Sequence, residues 1–336
     1  MNTLPTKMHA LQIDTYSEQL SFKYVEKEIP SLGENEVLIR ILKAPVNPSD
    51  LAFVTGNYGF KKDLPVIPGM EGCGEVIAAG SHKDAQSLLG CNVACIAGEG
   101  DGTWAEYMVA SPYQCIPFSE SVSLEKGAML MVNPMTALAL INIAKQGGHK
   151  TIIQNAASSA LSNMIRFLAK QEGLTVINIV RSRQQAKAMT KAGMPYVLNS
   201  SAKDYQEKLH SLCTELHASL LLDAVAGQAT ADILDAMPEA STAVVYGGLS
   251  GEGPKVSIEH VIFKNHKIEG FWLAHYLKDT QVEELKNMGE QAQVLMAQDF
   301  EIAIQSQPKL EYASHSIAAY AGNMSRGKVL ISPHQE

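Results

Sequence analysis

The sequence predicts an α/β protein in which a β-rich first part precedes a doubly wound parallel sheet. Three observations predict it. Residues 174–180 form a near-continuous β-branched run, the pattern of a strand buried on both faces. Short apolar runs at 151–154, 196–198, 219–223 and 242–246 alternate with helical segments, and such alternation specifies a parallel sheet. Before residue 124 the texture differs, with glycine and proline recurring from Pro45 to Gly74, which suits short strands joined by turns.

In chain order, residues 36–43 mix β-branched and aliphatic side chains over a strand length, and 102–109 read as a turn and a strand. After the strand at 151–154, Leu161, Met164, Ile165 and Leu168 fall at i, i+3, i+4 and i+7, one face of a helix that Gly173 ends. A second helical stretch runs to Gly193. Residues 267–272 are the candidate last strand of the sheet. The stretch 278–300 is helical in composition, and 328–332 form a closing strand that returns to the first domain. At about 100–200 residues per domain, 336 residues give two. The expected division is residues 1–124 with 276–336 as one discontinuous domain, and 125–275 as the other.

A net charge of -8 and a pI of about 5.7 work against a broad nucleic-acid or anionic-membrane footprint. No run approaches 18 apolar residues, so no membrane span is expected. The cysteines (Cys73, Cys91, Cys95, Cys115 and Cys213) are odd in number and irregularly spaced, which predicts free thiols and a reducing compartment. The first residues carry no signal-peptide pattern, so the expected location is cytoplasmic.

Ligands of such sheets bind beyond the carboxyl ends of the strands, near the first strand-to-helix turn. That turn is 154–163, and a dinucleotide pyrophosphate would rest there on backbone N–H groups and the positive end of a helix dipole. The loop has no glycine between Gly148 and Gly173, so G-x-G-x-x-G is absent. Ala157, Ser158, Ser159, Ala160 and Leu161 are the candidate cofactor residues. A non-glycine residue in unfavourable backbone costs roughly 1–3 kcal/mol, which serine hydroxyls could offset by donating to phosphate. The alternative is a structural turn with no ligand. The second strand ends in Arg181 and Arg183, where NAD-specific sites carry Asp or Glu. Arginines there favour a ribose 2′-phosphate, hence NADPH, unless they are ordinary surface cations. Tyr246, Gly247 and Gly248 end a later strand, where glycine lets backbone approach a cofactor or simply makes a turn.

Several segments occur together in order: Asn47-Pro-Ser-Asp50, Gly56-Asn-Tyr-Gly59, Gly69-Met-Glu-Gly72, Gly102-Thr-Trp104, Val132-Asn-Pro134, Val180-Arg-Ser-Arg183, Tyr246-Gly-Gly248, Ile262-Phe-Lys264 and Gly270-Phe-Trp-Leu273. From about Met8 to Ser332 the chain resembles the medium-chain dehydrogenase/reductase superfamily, most of all its mitochondrial-type 2-enoyl thioester reductases and quinone oxidoreductases. The resemblance implies a split GroES-like β domain, a Rossmann nucleotide domain, an active-site cleft between them, and a homodimer through the sheet edge near 266–272. It makes Tyr58 the family's active-site tyrosine and Trp272 its pocket tryptophan. It puts Asn133 and Thr136 near the nicotinamide, and extends cofactor contacts to Phe271, Trp272 and Lys328. Zinc-dependent relatives have Cys at the place of Asn47 and His at that of Met70, so no metal is expected.

Without a metal, simple alcohol oxidation lacks its usual Lewis acid, whereas reduction of an activated double bond or a quinone does not need one. Charge then develops on an enolate or phenolate oxygen and needs a hydrogen-bond donor. Tyr58 is the candidate donor, its alternative being packing in a glycine-rich turn. Asn47 either orients the substrate carbonyl or caps the Asn-Pro turn. Trp272 either walls the pocket or packs at the sheet edge, and Asn133 and Thr136 could equally mark an ordinary helix entry. The leading expectation is a zinc-independent, NADPH-dependent reductase of an enoyl thioester or enone. The others are a quinone reductase on the same scaffold and a non-catalytic relative that binds a ligand or partner. Acyl-carrier-protein or CoA handling would call for basic residues at the cleft mouth, for which Lys61, Lys62 and Lys264 are candidates, but they are read as solvated surface charges.

Overall fold

The computed structural model describes residues 4–298 and 302–334. The chain divides into two compact units, Met1–Pro134 with Asn287–Glu336, and Met135–Lys286. These breaks lie about ten residues beyond the expected ones at 124/125 and 275/276. The cause at the first break is Glu71, whose Oε2 accepts from the backbone N–H of Met131 at 3.1 Å and of Val132 at 2.8 Å. That carboxylate ties the segment after residue 124 to the β-rich unit.

In the first unit β1 (Lys7–Gln12) pairs antiparallel with β2 (Lys23–Glu28). The main sheet uses β3 (Val37–Pro45), β4 (Glu71–Ala79), β5 (Asn92–Ile96), β6 (Tyr107–Ala110) and β7 (Cys115–Pro117). β3 runs between β4 and β6, antiparallel to both. Helix α1 (Pro48–Val54) follows β3 directly. Proline at its first position suits a helix start, because the missing N–H has no helical partner there anyway. Trp104, Phe53, Ile39, Ile41 and Ile67 fill the core. Gly74 is required by close packing, since a Cβ there would lie 2.0 Å from the Arg40 carbonyl oxygen.

The second unit holds β8 (Thr151–Gln154), β9 (Thr175–Val180), β10 (Val197–Asn199), β11 (Leu220–Asp223), β12 (Thr242–Val245) and β13 (Lys267–Gly270). They form one parallel sheet in the order β10-β9-β8-β11-β12-β13. The order reverses direction at β8, the topological switch point at which such sheets bind ligands. The β-branched 174–180 run is β9, buried along nearly its whole length as expected. The last strand stops at Gly270, two residues short of expectation. Phe271 keeps one ladder bond, N–H to the Val245 carbonyl at 2.9 Å, before a helix begins at Leu273. Helix α2 (Ala160–Gln171) buries Met164, Ile165 and Leu168, three of the four residues on the predicted face, with Leu161 half-buried.

The 278–300 stretch is two helices, Leu273–Asp279 and Val282–Ala297; Asp299 and Phe300 lie outside the described residues. β14 (Ile304–Ser306) and β15 (Lys328–Ile331) then rejoin the first unit, where β15 lies antiparallel to β3. The predicted closing strand therefore does return.

Candidate functional site

In the first unit a buried polar cluster forms where α1, β4 and β15 meet. Asn47 is 2% exposed and stands at the N-cap of α1. Its side chain does not serve as the cap. Nδ2 donates to Glu71 Oε1 at 2.8 Å, and Oδ1 accepts from Lys328 Nζ. The capping runs the other way: Asp50 Oδ2 accepts from the Asn47 N–H at 2.7 Å and Oδ1 from the Met70 N–H at 2.7 Å. Burial pushes the Asp50 carboxyl up to about 7, against the pull of those two N–H groups. Glu71 is raised by burial too, and Lys328 is lowered by burial against the attraction of Glu71 and Asp50.

Asn47 is part of an internal network, its amide shared between Glu71 and Lys328, and one Nδ2 N–H takes no partner among the described residues. One expectation changes here. Lys328, expected against cofactor, is buried with its ammonium on Asn47. Position 328 joins this cluster because β15 crosses β3 beside the start of α1, a pairing no local pattern reveals. Glu71 and Asp50 went unrecognised for the same reason, although Asp three residues after an N-cap was a readable cue.

Tyr58 is half-buried and meets Phe60 edge-to-face, ring centroids 5.1 Å apart. Lys62 is not a plainly solvated charge. It lies over Phe60 at 5.8 Å, donates to the Gly100 carbonyl at 2.6 Å, and burial lowers its pKa. Lys264 likewise donates to the Asp235 carbonyl at 2.9 Å, while Lys61 is exposed over the Tyr16 ring. Asn133 opens the helix Asn133–Gln146, and Thr136, one turn on, is 6% exposed.

In the second unit the loop after β8 bends through Ala156, whose φ of 47° is left-handed. Here the missing glycine has its cost. Ala157 is fully buried, and its N–H already bonds the Ile179 carbonyl at 3.1 Å, so it does not offer the amide expected of it. The Ser159 hydroxyl caps α2, accepting from the Ser162 N–H at 3.1 Å and donating to Ser162 Oγ at 2.9 Å. It is committed to the helix and not to a phosphate. Ser158 is exposed and accepts from Gln185 Nε2 at 2.9 Å. Among the described residues no protein acceptor takes the N–H groups of Ser158, Ala160 and Leu161. They are the orphan donors of a helix N-terminus, the arrangement that attracts anions.

Beneath the loop, Asn155 joins the ends of two strands. Its Nδ2 donates to Asp223 Oδ1 at 2.6 Å, and its Oδ1 accepts from the Ala224 N–H at 2.7 Å. At the end of β12 the Tyr246 hydroxyl is buried and its pKa is raised by burial. A Cβ on Gly247 would lie 2.7 Å from the Ala224 carbonyl oxygen, whereas Gly248 faces open space. Phe271 and Trp272 are half-buried, Phe271 packed on Tyr276 and Trp272 on His275.

Beyond β9 lies an open depression of about 980 Å³. Arg181, Arg183, Lys187 and Lys191 line it, and no acidic residue does. Both arginines are exposed. The two lysines were missed, although spacings of four and eight residues from Arg183 put them on one face of the helix Arg183–Lys191.

An alcohol dehydrogenase GroES-like domain model matches residues 33–120, and a zinc-binding dehydrogenase model matches residues 160–291. The chain is 31% identical to the mitochondrial enoyl-[acyl-carrier-protein] reductase of Rattus norvegicus over 266 residues, 78% of this chain and 71% of that protein. The chain belongs to the medium-chain dehydrogenase/reductase superfamily. Among solved medium-chain structures, a putative NADPH:quinone reductase from Mesorhizobium loti is 32% identical, with a TM-score of 0.89 over 98% of this chain and 100% of that one. A mycobacterial protein solved with NADPH shares the fold at 22% identity, with a TM-score of 0.82 over 97% of this chain and 100% of that one.

Proposed function

We propose that this chain is an NADPH-dependent oxidoreductase that reduces an activated C=C bond, such as that of an enoyl thioester or enone. The observation that carries the reading is the depression beyond β9, where four cations and no carboxylate gather at the place that receives a ribose 2′-phosphate. The rest of the unit fits a dinucleotide. Orphan amides open α2, and Gly247 brings backbone against backbone at a strand end. The zinc named in one matching model finds a poor donor set, an amide already shared between Glu71 and Lys328 and a methionine thioether, so no step goes through a metal.

NADPH, when bound, supplies a hydride. The Arg181 and Arg183 guanidiniums hold the 2′-phosphate, and the α2 amides hold the pyrophosphate. Asn133, Thr136, Phe271 and Trp272 serve the nicotinamide end, with Trp272 also an apolar wall for the substrate. Tyr58 donates its phenolic O–H to the oxygen or carbon where charge develops. Edge-to-face contact with Phe60 holds its ring in place. Asn47, Glu71 and Lys328 act as an internal brace. A quinone is the second substrate class, favoured by the 32% likeness to a putative quinone reductase over the whole chain. The working form is a homodimer through β13, an edge strand beside the exposed Val261, Ile262 and Phe263. Free thiols throughout suit a reducing compartment such as the cytoplasm.

Fluorescence titration with NADPH and NADH tests the reading. The wild type should bind NADPH tightly and NADH weakly. Arg181→Ala should weaken NADPH by about ten- to a hundredfold, the loss of one charge-assisted hydrogen bond, and leave NADH little changed. Absence of binding to either nucleotide would promote the non-catalytic alternative.

A further inference from the structure

The loop before α2 has no glycine, yet the amides at its helix end remain without internal acceptors. Arg166, two turns into α2, explains how. Its Nη1 donates to the Ala157 carbonyl at 2.6 Å and to Asn178 Oδ1 at 3.3 Å, and its Nη2 donates to Asn163 Oδ1. In an α-helix each carbonyl accepts the N–H four residues on. The Ala157 carbonyl would otherwise be the natural acceptor for Leu161. The guanidinium holds that carbonyl in the loop through one of its two lone pairs, and the Leu161 N–H has no acceptor among the described residues.

The charge of Arg166 matters as well. Among the described residues no carboxylate pairs with it, and its hydrogen-bond partners are a carbonyl and two amides. Burial alone pulls its pKa down to about 10, with no acid pulling the other way, so it remains a cation at neutral pH. A partly buried charge without a counter-ion is a standing cost, which an anion arriving nearby offsets.

We propose that Arg166 is a positioning residue for the dinucleotide pyrophosphate: it stands in for the absent loop glycines by holding the Ala157 carbonyl, and supplies an uncompensated positive charge behind the loop. This rests on the nucleotide reading above. It goes beyond it by assigning the pyrophosphate subsite to a side chain that does not itself face the ligand, and by separating that subsite from the 2′-phosphate cations beyond β9.

The test uses two probes, NADPH, which contains a pyrophosphate, and adenosine 2′-monophosphate, which carries the 2′-phosphate and no 5′-phosphate. Dissociation constants are measured for the wild type, Arg166→Met and Arg166→Lys, at two salt concentrations. Arg166→Met should weaken NADPH by about tenfold or more and flatten its salt dependence, yet change adenosine 2′-monophosphate less than about twofold. Arg166→Lys, which keeps the charge but loses the fork of donors, should fall between. Equal weakening of both probes, or of neither, overturns the proposal. If Arg166→Met does not fold, Arg166→Lys decides alone, with a several-fold loss for NADPH only. A wild type that binds neither probe overturns the nucleotide reading itself, an outcome distinct from failure at Arg166.

Discussion

Ala156 holds a backbone conformation that a glycine would hold without strain. For an L-residue the left-handed region costs about 1–2 kcal/mol, part of which glycine returns through its freer unfolded chain. Ala156→Gly should therefore stabilise the fold by about 1 kcal/mol, read as a higher urea midpoint. A lower midpoint would mean that the methyl group packs better than the backbone strains. Tyr58 is the other residue on which chemistry turns. Tyr58→Phe keeps the edge-to-face contact with Phe60 and removes only the hydroxyl. Loss of a proton donor slows a step by about a hundredfold or more, so enone reduction should fall far more than quinone reduction. Equal slowing on both substrates would take proton delivery to carbon away from this residue.

The cluster joining α1, β4 and β15 sets a pH dependence. Asp50 faces the N–H groups of Asn47 and Met70, with the Glu71 carboxyl and the Lys328 ammonium close enough to act on it. Its carboxyl titrates near about 7 in the folded chain against roughly 4 in the unfolded one, so the folded chain binds more protons between those values. Stability then falls as pH rises from about 4 to about 7, and Glu71, also raised, acts in the same direction. Asp50→Asn should shrink the drop in urea midpoint between pH 5 and pH 7.5, while lowering the midpoint at pH 5 because its NH2 opposes one of the two N–H groups. An unchanged drop would show that Asp50 is ionised throughout this range. The elements of this cluster were partly legible. β3 and β15 announce themselves by apolar runs, because strands with buried faces must carry such residues. Their pairing was expected only in outline, and the fate of Asn47, Glu71 and Lys328 was not, because a contact across more than two hundred residues leaves no local period. In the nucleotide unit the strands were read almost residue by residue. Their hydrophobicity is dictated by burial on both faces, whereas Arg166 had no pattern to set it apart from a surface arginine.

At the scale of the whole molecule, β13 leaves one edge of the parallel sheet without a partner strand among the described residues. Beside it Ile262 and Phe263 are 66% and 73% exposed. Exposed apolar side chains next to an unpaired edge suit pairing with a second copy. Phe263→Asp should turn a dimer into a monomer by light scattering while NADPH binding persists. A monomeric wild type, or a variant that stays dimeric, would remove β13 and its neighbours from the interface. The return of β15 to β3 has a consequence in time. On a ribosome the Met135–Lys286 unit is complete before β15 exists, while the first unit waits with one flank of β3 uncovered and Asn47 lacking its lysine. At roughly 5–20 residues per second the delay lasts a few seconds. During it the nascent chain carries an open sheet edge that a chaperone, or the sheet of a neighbouring nascent chain, is free to meet first.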